Sequence, residues 1–438
     1  MPELLSPAGN FEKLRAAILY GADAVYLAGQ MFGMRSAAAN FTVPELYEAA
    51  EYVHARGKKI YLTVNTMPHV DEYPLLRKFL KDIKDAGIDA MIVADLGVFT
   101  TIREIIPDME IHISTQTSIV SPASARAWAA MGAKRLVLAR ELTMQEILAI
   151  RAELPTDVEL EAFVHGSMCV SYSGRCLLAN AFNGRDGNRG TCSQPCRWNY
   201  AIVEEKRPES PFPIEQQEGV GTFIMSSKDM CMIEHIPELM KSGIASFKIE
   251  GRMKSAYYTA VVTNAYRMAI DAYQKDPDAY RFDPRWLEEL ESVSHREYGT
   301  GFYFDDPMVN PQLVSTCGYL REKAYFSTAT EYDEAEAVAI AQTGVALTNE
   351  QGTLYRFIQR NKVSVGEGAE LISPGKIGVG FEVSELYALS GERIDSTPHP
   401  SMIYWCRVPF AVQEGDIMRA ASGKGLEVRA KDRLKEPC

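Results

Sequence analysis

Between residues 1 and 275, short apolar runs alternate with amphipathic segments of helical length, and no other feature restricts the fold so tightly. The runs at 3–7, 23–28, 59–65, 89–94, 110–115, 134–139, 158–164 and 245–250 read as strands. Each but the seventh is followed promptly by a helical pattern, such as 10–20 or 44–55. Parallel strands need a crossover connection, and a helix is the usual one. Gly21, Gly87, Gly132 and Gly243 fall just before strands, as expected where glycine ends each helix. The expected architecture is a (β/α)8 TIM-like barrel, with an open doubly wound sheet as the other arrangement giving this alternation.

The barrel domain is assigned to 1–310, with an insertion at 166–243 between the seventh and eighth strands. Within it, 204–221 is rich in Pro, Glu and Gln and reads as a solvated loop. After a helical pattern at 256–273 and a polar connector ending near 310, short β-type runs appear at 336–341, 353–358, 364–371 and 381–388. They predict a small C-terminal β-barrel domain over 317–410, followed by a tail at 411–438. The N-terminus lacks a basic and apolar leader, and no run reaches about 18 uncharged apolar residues, so a cytoplasmic protein without a membrane span is expected. A net charge of −12 argues against indiscriminate coating of nucleic acid, though a locally basic site remains compatible with it.

Side chains alternate across a strand, and in a closed barrel one face points inward. On the eighth strand that rule puts Lys248, Glu250 and Arg252 together, opposite the apolar residues. It likewise groups Glu159, Glu161 and His165 on the seventh strand, His112, Ser114 and Gln116 on the fifth, and Tyr61, Thr63 and Asn65 on the third. A purely structural barrel would carry Val, Ile and Leu there, although a strand shifted in register would also explain a single case. Functional residues in such barrels sit at the C-terminal strand ends. Asn65, Gln116, His165 and Glu250 are therefore catalytic candidates, His165 being open also to the plain reading of a hydrogen-bonded structural histidine. Arg35, Arg140, Lys248 and Arg252 are candidate substrate contacts, with Tyr172 as a stacking platform or a core residue.

Half of the eight cysteines crowd into the insertion, as C-x6-C-x15-C-x3-C at Cys169, Cys176, Cys192 and Cys196. Eight in so long a chain are too sparse for a disulfide scaffold, and a local cluster in a reducing compartment points to metal or redox chemistry. Zinc ligands usually pair as C-x2-4-C, which only Cys192 and Cys196 resemble, whereas an iron–sulfur cluster takes four thiolates at looser spacing. Arg175, Arg185, Arg189 and Arg197 would offset a negatively charged cluster or hold an anionic partner beside it. A structural zinc site and four unrelated buried thiols stay open. Cys231 is a fifth candidate ligand, while Cys317, Cys406 and Cys438 look unrelated. No H-E-x-x-H or G-x-S-x-G motif suggests a hydrolase.

The run EAFVHGSMCVSYSGRCL at 161–177 resembles the signature of the collagenase-like peptidases, family thirty-two of the unassigned catalytic class. PELLSPAG at 2–9, YGADAVY at 20–26, NRGTC at 188–192 and FKIEGRMKS at 247–255 extend the likeness, and VGEG at 365–368 carries it into the second domain. Despite the family's name, the resemblance implies a 4Fe-4S cluster held by Cys169, Cys176, Cys192 and Cys196. Its longer branch implies 5-hydroxyuridine formation at the tRNA wobble position, with prephenate as co-substrate and an electron donor as partner. A peptidase, or a noncatalytic zinc-stabilised RNA-binding protein, are the other readings.

Overall fold

Parallel pairing runs unbroken from Glu3–Pro7 through Ala24–Ala28, Lys59–Val64, Ala90–Val93, Glu110–Ile113, Arg135–Val137 and Glu159–Ser167 to Ser246–Ile249. That last strand pairs with both the seventh and the first, so the sheet closes into an eight-stranded barrel and the open alternative is excluded. The computed structural model describes residues 1–35, 39–198, 201–204, 207–213, 215–217, 220–221, 227–304 and 323–421. Cys317, Cys438, the start assigned to the second domain and most of the tail lie outside them.

Local chemistry sets the crossover helices. Thr42 and Thr143 each cap a helix by accepting from the N–H of the residue three on, while Glu45 and Glu146 reach back to the cap. Gly21, Gly87, Gly132 and Gly243 all have φ between +74° and +102°, the left-handed conformation that ends a helix. No helix among the described residues is long and apolar enough to cross a membrane.

Three expectations change. The 204–221 stretch carries short antiparallel strands, Ala201–Glu204 against Arg207–Pro213 and Glu215–Gln217 against Val220–Gly221. Its polar composition hid them because a tight hairpin needs only backbone donors and acceptors. The run at 336–341 is helix, Glu334–Gln342, capped by Asp333. Its Glu/Ala alternation imitates a strand, but both are strong helix formers, and the buried Ala337 and Ile340 are three apart. The tail assigned from 411 contains a strand, Ile417–Ala420, paired with both Tyr325–Ala329 and Gly368–Ile372. Arg419 disguised it, and that residue is buried because Glu289 and Glu370 each lie 2.7 Å from it.

The second compact unit takes residues 260–268, 283–294 and the chain from 320 on. Its main sheet is antiparallel and forms a half-barrel around Phe357, Tyr404, Leu371 and Met418.

Candidate active site

The barrel interior is charged in its lower half. Glu161, fully buried on the seventh strand, accepts from Lys248 Nζ at 2.7 Å and Arg135 Nη1 at 3.2 Å. Arg135 also donates to Glu3 at 2.6 Å and Glu159 at 2.7 Å, and its guanidinium lies 5.2 Å from the Tyr61 ring centre. Burial alone would push the Glu161 carboxyl up, but Lys248 and then Arg135 outweigh it and pull the pKa down to about 2.

Above this layer, at the C-terminal ends of the strands, a single cavity is lined by Lys248, Glu250 and Arg252, as strand alternation predicts, and by Asn65, Gln116, Arg140 and Arg35. Arg252 donates to Thr63 Oγ1 at 3.4 Å and to the Met34 carbonyl. Arg140 donates to Ser167 O at 2.8 Å and Ser173 Oγ at 2.9 Å. The carboxylate of Glu250 lies 3.9 Å from Arg35 and 3.1 Å from the Tyr26 hydroxyl. Burial acts to raise its pKa, yet Arg35, Arg252 and Arg140 hold it below the usual carboxylate range. Three arginines thus act on one carboxylate, with Lys248 held by Glu161 below them, and two buried donors in cavity-lining residues, Arg140 Nε and Gln116 Nε2, have no partner among the described residues. A buried donor without a partner is costly, and a site of this kind suits an anion with several acceptor oxygens.

The insertion covers this cavity, and Cys169, Cys176, Cys192 and Cys196 all line it. Cys176 Sγ accepts from Leu178 N at 3.5 Å, and Cys192 Sγ from Gln194 N at 3.4 Å. Burial pushes up the Cys196 thiol, with Arg197 opposing and the other three thiols adding to the rise. Among the described residues, no three His, Cys, Asp or Glu side chains gather around one ion-sized point. Tetrahedral zinc requires sulfurs roughly 3.8 Å apart, given bonds of about 2.3 Å. Four thiols lining one cationic cavity, two of them accepting backbone N–H bonds, supply the donor set that a four-thiolate cluster needs. Cys231 does not line the cavity; it lies on Asp229–Cys231, opposite His165 in an antiparallel pairing with the seventh strand.

The cysteine segment leaves and rejoins the barrel at one point. Met168 O accepts from Ser227 Oγ at 2.8 Å and from Arg296 at 3.2 Å, and Asp229 holds Arg296 through its Nε at 2.8 Å.

His165 is not a cavity residue. Lys248 pairs with Phe163 but Ile249 with His165, so Val164 is an extra residue in the ladder. One such bulge reverses the facing of everything beyond it. Phe163 therefore lines the cavity, and His165 packs outside, 6.0 Å from the Tyr258 ring and 5.4 Å from Tyr298. Burial drives its pKa down to about 3, so it is neutral at physiological pH. Tyr172 lines the cavity but is 45% exposed, which excludes the core reading. Sequence reasoning missed Tyr26 and Arg135. The alternation test, applied to the second and sixth strands, would have placed Tyr26 and Arg135 on inward faces between Ala24 and Ala28 and beside Val137.

Gly166 follows the bulge with φ +110°, and a Cβ there would sit 2.5 Å from the Glu250 carbonyl oxygen and 2.9 Å from its Cβ. Gly166→Ala is expected to cost about 1–3 kcal/mol of backbone strain before any clash. A thermal melt should show the midpoint falling by about 2–4 °C per kcal/mol in a domain of this size.

A closed parallel barrel with a thiol-bearing cap over a cationic mouth defines a barrel protein of enzyme type, with its site where such barrels carry theirs. The chain belongs to peptidase family U32: the family's model matches residues 9–312, and that of the family's C-terminal domain matches 342–419. The chain is 36% identical to tRNA hydroxylation protein P1 of Bacillus subtilis, over 95% of this chain and 94% of that protein. It is 35% identical to tRNA hydroxylation protein P of Escherichia coli, over 97% and 98% of the two chains. A Collagenase of Porphyromonas gingivalis is 34% identical over 77% of this chain and 82% of its own length.

Proposed function

We propose that this chain is an RNA-hydroxylating iron–sulfur enzyme that forms 5-hydroxyuridine at the wobble position of tRNA, with prephenate as co-substrate. The carrying observation is that four thiols and four cations share one cavity at the mouth of a closed barrel. Relatives named for tRNA hydroxylation, matching nearly end to end, support the RNA substrate. Cys169, Cys176, Cys192 and Cys196 would hold a 4Fe-4S cluster, which supplies or relays electrons when bound and draws them from a separate donor.

The chain's own residues have separable tasks. Prephenate carries two carboxylates, and Arg35, Arg140, Arg252 and Lys248 provide the charge and the paired N–H donors to hold them. Asn65 and Gln116 offer amide groups suited to a base edge, and Tyr172 an exposed ring for a splayed-out base to stack on. Glu250, kept ionised by its arginines, is placed to accept a proton, not to donate one. The peptidase reading fares worse because, among the described residues, no histidine lines the cavity to pair with a thiol, and Glu250 is held by its arginines.

Mass spectrometry of tRNA nucleosides is the test. A strain lacking the gene should lose 5-hydroxyuridine and regain it with the wild-type gene but not with Arg140→Ala. Unchanged 5-hydroxyuridine in a strain without a paralogue would sink the assignment.

A further inference from the structure

The outer side of the cysteine segment is apolar and cationic at once. Leu177 is 65% exposed, Phe182 49% and Trp198 41%, and Trp198 is the only exposed one of the chain's four tryptophans. Phe182 and Trp198 meet edge to face at 6.1 Å, and Asn183 Nδ2 donates to Ser193 Oγ at 2.7 Å, tying the helix Leu178–Asn183 to the chain leading into Pro195–Arg197. From 165 to 198 there are four arginines and one acid, Asp186, in a chain whose net charge is −12. Arg189 is engaged with Glu72, but exposed Arg175 and Arg185 make no ion pair among the described residues.

Exposed aromatic rings cost solvation and are retained where something covers them, and the covering partner must here be anionic and able to stack. An acidic protein surface would need separate acidic and apolar groups placed to match the arginines and the rings. Unpaired nucleotides satisfy both: phosphates meet the arginines and bases stack on the rings. A base-paired stem has its bases stacked already and cannot use this face. The surface is continuous with the cavity, since Cys176 and Leu178, flanking Leu177, both line it.

We infer that Leu177, Phe182 and Trp198, with Arg175 and Arg185, form the docking surface for unpaired nucleotides of an RNA loop, beside the nucleotide that enters the cavity. The inference rests on the RNA-hydroxylase reading and adds which face of the molecule holds the substrate. Trp198 and Phe182 act as stacking platforms and the two arginines as phosphate contacts.

The test uses the full-length protein purified without oxygen and a fluorescein-labelled RNA hairpin with an unpaired anticodon loop, with fluorescence anisotropy as readout. Phe182→Ala with Trp198→Ala is expected to weaken binding at least tenfold at every salt concentration, tenfold being about 1.4 kcal/mol. Arg175→Gln with Arg185→Gln should flatten the slope of log K against log salt by about 1.4, at about 0.7 per phosphate on a single strand. Binding of a fully paired duplex of the same sequence should not change in either variant, and unchanged iron content and thermal midpoint establish that both fold. If the wild type binds the hairpin and both variants match it, the surface is wrong while the hydroxylase reading stands. If the wild type does not bind the hairpin, both fall. If the aromatic variant instead dissociates a dimer in the ultracentrifuge, the face belongs to a second copy of the chain and the RNA surface is overturned.

Discussion

Serine at any one of Cys169, Cys176, Cys192 or Cys196 is expected to abolish bound iron and sulfide, while serine at Cys231 leaves both intact. Wild-type protein purified without oxygen should carry about four irons and four sulfides per chain, with the broad visible absorption of a cubane. The four line one cavity, whereas Cys231 lies outside it on a strand facing the seventh barrel strand. A cubane missing one thiolate ligand is exposed to solvent and oxidation, so the loss should approach completeness in air. Elemental analysis decides between the alternatives. Stoichiometric zinc in the wild type, or iron that survives in two or more of the four variants, would remove the cluster and the hydroxylase chemistry that depends on it.

Removing Glu161 should cost more stability than any other single change in the barrel interior. Glu161→Gln leaves Lys248 without the carboxylate 2.7 Å away and strips Arg135 of one of its three acidic partners, in a layer where Glu161 has no exposure. Leaving a buried charge uncompensated costs about 3–5 kcal/mol. The double variant Glu161→Leu with Lys248→Leu removes both charges and should recover much of that loss, since apolar replacement of a whole buried pair is often neutral. Urea unfolding followed by circular dichroism measures both, and equal losses in the two would show that the pair does not act as a unit.

The same interior predicts acid sensitivity. The Glu161 pKa is about 2 in the fold, below its ordinary 4.5, so its contribution is complete above about 4.5 and drains as pH falls toward 2. His165 is pulled from 6.5 to about 3. The unfolded chain therefore takes up that proton first, and stability falls from pH 6.5 downward at up to about 1.4 kcal/mol per unit. His165→Phe should flatten the slope throughout the window from pH 6.5 down to about 3.

All eight barrel strands were legible because a doubly buried parallel strand is a short apolar run bounded by polar helix ends, and periodicity detects that directly. Lys248, Glu250 and Arg252 were legible for the same reason, charges at alternate positions along the eighth apolar run, the first on the strand Ser246–Ile249 and the other two just past its C-terminal end. What escaped detection depends on pairing between distant segments. The bulge at Val164 exists only as a mismatch of register with the eighth strand, and it alone turns His165 outward. Arg135 and Glu3 are 132 residues apart, and while alternation marks Arg135 as inward-facing, nothing local names Glu3 as its partner. Motif spacing pointed to four thiols as a set, while only the fold shows that they and the mouth cations share one cavity.

The tie between Met168 and Ser227, 59 residues apart, anchors both ends of the cysteine-bearing segment without any bound group. Closing so long a span is an entropic cost that grows only slowly with length. Here protein groups meet that cost: a serine hydroxyl and the buried Arg296–Asp229 pair. The proposed cluster would therefore meet thiols on a segment whose ends the protein already holds. If the chain holds the proposed cluster, folding would come first and loading second. By the same logic, a cluster lost to oxygen would leave the barrel and the segment's two ends in place for reloading.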